Sequence, residues 1–253
     1  MILNRIRQYN VKFRDKYGKT IIACDGGSWR KQAYEQYKSG RKKNRDESPL
    51  DWTEFFRLIN LVRDELKEHF PYPVICVEGA EADDVIATLV ESTQAFGHDE
   101  SVVIVSADKD FLQLQRYSNV QQFSPMKKDF ITVDDPHFYK FEHICKGDTS
   151  DGVPNILSGD NTFTDDLRQK PMRMKKIQEW YQSKNDLESV METETLRNFQ
   201  RNKEVIDLDC IPQAITDSIK AEVGKEANKP KKDILNYLIT KRCNMLVEAA
   251  SDF

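Results

Sequence analysis

Eight carboxylates stand where chemistry would need them. In "VEGAEADDVIATLVE", Glu81, Asp83 and Asp84 head an otherwise apolar helix. In "VVIVSADKDF", Asp108 and Asp110 follow a run of β-formers. Asp25 ends the apolar run "TIIACD", and "CKGDTSDGVPN" offers Asp148 and Asp151 in a glycine-flanked segment. Like charges gathered in one place repel one another, so something positive must hold them. Donors that are only Asp and Glu, with no His or Cys, suit six-coordinate Mg²⁺ or Mn²⁺ and argue against zinc. Two such ions about 4 Å apart activate a water and stabilise the leaving oxygen in phosphodiester cleavage. Singly, each acid has a plainer explanation. Asp25 or one of Asp108 and Asp110 serves as a helix N-cap, and the acids from Glu81 to Asp84 complement a helix dipole. The Asp148 segment alone is a good loop.

The elements around the acids make the plainer explanation harder to hold. "TIIACD" (Thr20 to Asp25), "PVICVEG" (Pro73 to Gly79) and "SVVIVSAD" (Ser101 to Asp108) read as buried strands. Helices are expected from Leu3 to Tyr17, from Ser48 to Phe70 and from Glu81 to Phe96. In the first, Ile6, Val11 and Phe13 are available for burial. In the second, Trp52, Phe55, Phe56, Ile59 and Val62 fall near one face. "NVQQFSP" and "DFITVDD" form a weak antiparallel pair, and from Pro136 the pattern is helical. Strands alternating with helices predict an α/β fold with a mainly parallel sheet, followed by an all-helical part. The expected division is 1–135 and 136–253. In open parallel sheets, sites lie outside the carboxyl ends of strands, where Asp25, Glu81, Asp83, Asp84, Asp108 and Asp110 fall.

The chain of 253 residues, 39% hydrophobic and 32% charged, is long enough for a sizeable core. No apolar run approaches the roughly 18 residues of a membrane span, and no signal peptide is read, so a cytoplasmic monomer is expected. Five scattered cysteines without a C-x-x-C spacing read as reduced thiols. The four histidines show no metal-ligand spacing. The net charge of −4 is unlike that of a nucleic-acid binder, but the charge is segregated. Arg30, Lys31, Lys38, Arg41, Lys42, Lys43 and Arg45 lie together, interleaved with Trp29, Tyr34 and Tyr37. Such a stretch reads either as a solvated helix face or as a funnel with stacking platforms for single-stranded nucleic acid. It emerges beside Asp25, which favours the funnel. Arg168, Lys170, Arg173, Lys175 and Lys176 form a second basic set that reads either as a grip on duplex phosphates or as simply solvated.

Together, "EADD", the S-x-D-x-D-F after a strand, and "GDTSDGVP" resemble the phage RNase H and 5′-nuclease (flap endonuclease) family. The resemblance runs from about Thr20 to Pro154. It implies a PIN-like catalytic domain over 1–135 and a helical, helix–three-turn–helix-like DNA-binding region over 136–253. It implies two Mg²⁺ ions, for which Mn²⁺ can substitute. Asp25, Glu81, Asp83, Asp84 and Asp108 would hold or surround the first; Asp110, Asp148 and Asp151 would serve the second, some through water. Lys38 and Arg41 look like the basic pair that steadies the scissile phosphate. The implied substrates are DNA and RNA–DNA duplexes with 5′ ends or flaps, cut during primer removal. A replication single-strand-binding protein or clamp is left open as a partner.

Two departures stand out. Family members begin with a strand carrying another metal-binding Asp, which nothing before the helix at Leu3 supplies. The expectation is an unpaired edge at "TIIACD" or a neighbour, a metal site short of one ligand, and weakened activity. The Gly-rich hairpin that binds K⁺ in many relatives is also missing after Pro154, so no K⁺ site is expected. A nucleic-acid-binding protein of the same fold with impaired catalysis is the competing reading, and a PIN-type ribonuclease for structured RNA is a third.

Overall fold

The computed structural model describes residues 1–227 and 233–253; the side chains at 42–44 and 96 also lie outside the described set. The chain opens with α1 (Ile2–Tyr17), ended by Gly18 at a positive φ of 76°. β1 (Ile22–Cys24), α2 (Arg30–Ala33), α3 (Gly40–Asp46), α4 (Trp52–His69), β2 (Val74–Cys76), α5 (Ala82–Gln94) and β3 (Val102–Val105) follow. A 3₁₀ helix (Lys109–Arg116), β4 (Val120–Ser124) and β5 (Asp129–Ile131) complete the sheet half. The helical half holds α6 (Pro136–Lys146), α7 (Met174–Gln182), α8 (Thr193–Ile206), α9 (Gln213–Glu226), α10 (Ile234–Thr240) and the short α11 (Asn244–Val247).

The expected parallel pairing is present, with Ile22 opposite Val74 and Val102 opposite Val120. β4 and β5 form the expected antiparallel pair, with Phe123 opposite Phe130. Among the described residues the ladder is discontinuous: β1 and β2 make one sheet, and β3, β4 and β5 another. β1 therefore has the unpaired edge expected for "TIIACD". An apolar slot of about 510 Å³ lies between β1 and β3, lined by Ile6, Tyr9 and Phe13 of α1 and by Ile86, Leu89 and Val90 of α5.

Packing crosses residue 135 repeatedly. Tyr34 and Tyr37 pack with Phe141, Ile144, Trp180 and Phe199. Ile75, Ala80 and Val85 pack with Ile219 of α9, and Phe70 packs with Tyr237, Leu238 and Phe253. Each such side chain, fully buried, contributes about 1.5–3 kcal/mol. The helical half thus packs on the sheet half through shared core clusters.

Two apolar faces are placed differently from expectation. On α1, Phe13 is buried and Ile6 partly so, but Val11 is exposed. On α4 only the final turns meet the body, through Val62 and Leu66. Its first half projects beyond the sheet, so Phe55, Phe56 and Ile59 are exposed, as are Leu58 and Leu61. Trp52, Phe55 and Phe56 pack on one another instead, ring centroids 5.4–5.8 Å apart. Among the described residues, no helix is long and apolar enough to cross a membrane.

Candidate metal centre

Local hydrogen bonding fixes Asp25, Asp84, Asp108 and Asp148. The Asp25 Oδ1 at the end of β1 accepts from the Ala82 N–H at 2.8 Å, tying the strand end to the first turn of α5. Gly26 lies so close to the segment after β2 that a Cβ would stand 2.0 Å from the Val77 carbonyl oxygen. At the head of α5, Glu81 and Asp84 form a capping box in which the Asp84 Oδ2 accepts from the Glu81 N–H at 2.8 Å. Asp108 caps the 3₁₀ helix by accepting from the Asp110 N–H at 3.0 Å. Asp148 accepts from the Ser150 N–H at 2.7 Å. The turn into Asp148 needs glycine: Gly147 has φ 69°, and a Cβ there would lie 2.3 Å from the Val153 carbonyl oxygen. Asn202 of α8 clamps the same loop by donating to the carbonyls of Ile144 (2.8 Å) and Pro154 (2.9 Å).

These anchors bring Asp83, Asp108, Asp110, Asp148 and Asp151 within electrostatic reach of one another. Burial, then the charges of Asp108, Asp110 and Glu81, push the Asp83 carboxyl up to about 7. Asp108 is also raised, by burial and by Asp110, Asp151 and Asp148, against a backbone hydrogen bond that lowers it. Carboxylates crowded this far from their ordinary range fit a divalent cation, whose charge removes the repulsion. The donors on this side are oxygens with one exception. His143 of α6 has its Nε2 at 2.9 Å from the Asp110 Oδ1 and 3.9 Å from the Asp148 Oδ2. Burial lowers the imidazole's proton affinity, but Asp110, with Asp148 and Asp108, outweighs it and leaves the pKa above the ordinary value. Its distance of 33 residues from Asp110 hides it from any spacing rule; the one sequence signal is its place on the helix leading into "GDTSDGVP".

Several expected roles are placed elsewhere. The Asp84 side chain is fully buried, with the Arg30 Nη2 at 2.8 Å from its Oδ1, so it faces the protein and not the open cluster. Arg30 is a correction to the nucleic-acid set. Its side chain is only 3% exposed, bonded to Glu81, Asp84 and the Val205 carbonyl, and cannot reach a phosphate. Tyr37 is likewise buried, its hydroxyl 2.9 Å from both Glu81 Oε2 and Asp151 Oδ2. Trp29 and Tyr34 are buried too, so these rings are packing residues and not stacking platforms.

Lys38, at φ 58°, pairs with Glu81 and lies 3.5 Å from Asp151. Arg41 is half-exposed and 2.5 Å from the Asp151 Oδ1. These two cations therefore sit at the rim of the acidic cluster. Lys31 is exposed, and Arg45 lies over the Phe56 ring at 5.9 Å. The Lys42 and Lys43 side chains lie outside the described residues. Arg168, Lys170, Arg173, Lys175 and Lys176 are all exposed.

Known protein families match both halves of the chain. A family model described as "5'-3' exonuclease, N-terminal resolvase-like domain" matches residues 1–141, and one described as "T4 RNase H, C terminal" matches 136–253. The Ribonuclease H of Enterobacteria phage T4 is 33% identical over 263 residues, covering 100% of this chain and 85% of that protein. The flap endonuclease Xni of Shewanella piezotolerans is 35% identical over 116 residues, 45% of this chain and 40% of the relative. Among solved structures, the D15 protein of T5, co-crystallised with metal ions, superposes with a TM-score of 0.62 at 20% identity, covering 89% of this chain and 92% of that one. On the match of sequence family across both halves, the chain belongs to the 5′–3′ exonuclease family, with a C-terminal part of the T4 RNase H type.

Proposed function

We propose that this chain is a Mg²⁺-dependent 5′ nuclease acting on DNA and RNA–DNA duplexes with a free or flapped 5′ end. One observation carries the reading: acids from separate segments converge, so that Asp108 and Asp110 raise the pKa of Asp83, and Asp110, Asp151 and Asp148 raise that of Asp108, with Lys38 and Arg41 at the rim. Bound among these acids, two divalent ions, Mg²⁺ or Mn²⁺, would supply an activated water and counter-charge for the leaving 3′ oxygen. The chain's own residues do the rest. Lys38 and Arg41 exchange a carboxylate partner for the scissile phosphate and hold it over the acids. Arg30 and Tyr37 fix the head of α5, so that Asp83 keeps its direction when substrate arrives.

The test is a 5′-labelled flap incubated with Mg²⁺ and, separately, with EDTA. Cleavage in Mg²⁺ alone is expected, with Asp108→Asn lowering it by about 100-fold or more while flap binding stays within a few-fold. The break between β1 and β3 favours a second reading, a nucleic-acid-binding protein of this fold with impaired catalysis, because Asp25 and Asp108 follow strands of two separate sheets. Tight flap binding without cleavage under either condition would select it.

A further inference from the structure

His143 belongs to none of the acidic motifs, yet the fold delivers its ring to two of them. It lies on α6 just ahead of Gly147, with Nε2 at 2.9 Å from the Asp110 Oδ1 and 3.9 Å from the Asp148 Oδ2. One ligand atom from each of Asp110, His143 and Asp148 lies within 4.8 Å of the others. The ring is not free to turn away: it is mostly buried and stacks on Tyr139 of the preceding turn, centroids 6.1 Å apart with planes 24° from parallel. Octahedral ions with bonds of about 2.1 Å place neighbouring ligands about 3.0 Å apart and opposite ligands about 4.2 Å apart. The 2.9 Å separation matches neighbouring ligands, and the 3.9 Å one lies between the two values, so a side-chain rotation at Asp148 is needed for all three to close on one ion.

We propose that the His143 Nε2 is a direct ligand of the ion held by Asp110 and Asp148, and that it tilts this half of the site from Mg²⁺ toward Mn²⁺. The chemistry sets the direction. Mg²⁺ takes oxygen donors and keeps its waters, whereas Mn²⁺ lies higher in the affinity order for nitrogen-containing sites. An all-carboxylate site would show little such bias. The inference rests on the proposed reading of the acidic cluster as a divalent-ion site. It differs from a purely positioning role, in which the ring would donate a hydrogen bond to Asp110 and never touch the ion.

The experiment uses the full chain without nucleic acid. Mn²⁺ is added and pulsed electron paramagnetic resonance reads nitrogen coupled to the bound ion; calorimetric titration gives Mn²⁺ and Mg²⁺ affinities. The wild-type spectrum is expected to carry the modulation of one coordinated imidazole nitrogen. His143→Gln should lose that modulation and at least about tenfold in Mn²⁺ affinity, with Mg²⁺ affinity changed less than twofold. Bound Mn²⁺ without nitrogen coupling in the wild type would overturn the ligand assignment and leave the acidic site standing. Nitrogen coupling that survives in His143→Gln would overturn it as well. A wild-type protein that binds neither ion would overturn both this inference and the divalent-ion reading beneath it. The wild-type spectrum decides the matter even if the variant folds poorly.

Discussion

Asp83 is an acid whose charge the fold disfavours. Its pKa is raised from 3.8 to about 7, so between those values the folded chain holds a proton that the unfolded chain releases. The stability this contributes is fully present below about pH 4 and is lost as pH rises through about 7. A divalent ion does the proton's work above that range. The expected outcome is that in chelator Tm falls between about pH 5 and 7.5, and that Mg²⁺ removes most of the fall. A metal-free protein whose Tm is flat over that interval would count against the crowded-carboxylate geometry. Arg30 is the complementary case, a cation buried against Glu81 and Asp84. Removing one member of a buried pair leaves the other uncompensated, at a cost of about 3–5 kcal/mol. Arg30→Met should therefore lower the unfolding free energy by that amount in urea titrations.

The segment from α2 to α3 shows how one run of basic residues divides between two jobs. Arg30 points inward as a structural cation, while Arg41 reaches the rim of the site. Arg41→Ala should make flap binding less salt-sensitive, shallowing the log–log slope by about 0.7–0.9 for one lost phosphate contact. An unchanged slope would make Arg41 a solvated partner of Asp151 and nothing more. The same segment marks what was legible in the sequence. Strand ends followed by acids were readable because parallel strands put their carboxyl ends on one edge, and Asp25 directly follows β1 while Asp108 and Asp110 lie just after β3. Facing direction was not readable. Asp83 and Asp84 are neighbours on one helical turn, yet one meets the acids and the other meets Arg30. The burial of Tyr34 and Tyr37 depends on α6 and α8, which arrive more than a hundred residues later. The exposed first half of α4 misleads for the same reason, since its apolar spacing resembles a core face, yet Phe55, Phe56 and Ile59 stay exposed.

At the scale of the whole molecule, the sheet is two half-sheets with a slot between them, bridged by side chains of α1 and α5. In β1 and β3 the amides of Ile22, Val102 and Ser106 donate to the segment carrying the partner strand. Parallel pairing alternates, so the amides of Ala23, Val103 and Val105, which line the slot, point away from those partners. Unpaired strand edges of this kind are templates for another strand, so the slot is also where this protein would be expected to self-associate on partial heating. The discontinuity has a consequence in time as well. Amides bonded across a ladder exchange their hydrogen for deuterium only when the structure opens, while an amide facing an unfilled slot exchanges when a water reaches it. Deuterium labelling followed by NMR should find Ala23, Val103 and Val105 exchanging well ahead of Ile22 and Val102, so that each central strand carries two clocks on alternate residues; uniform protection along β1 and β3 would mean that the slot is closed in solution.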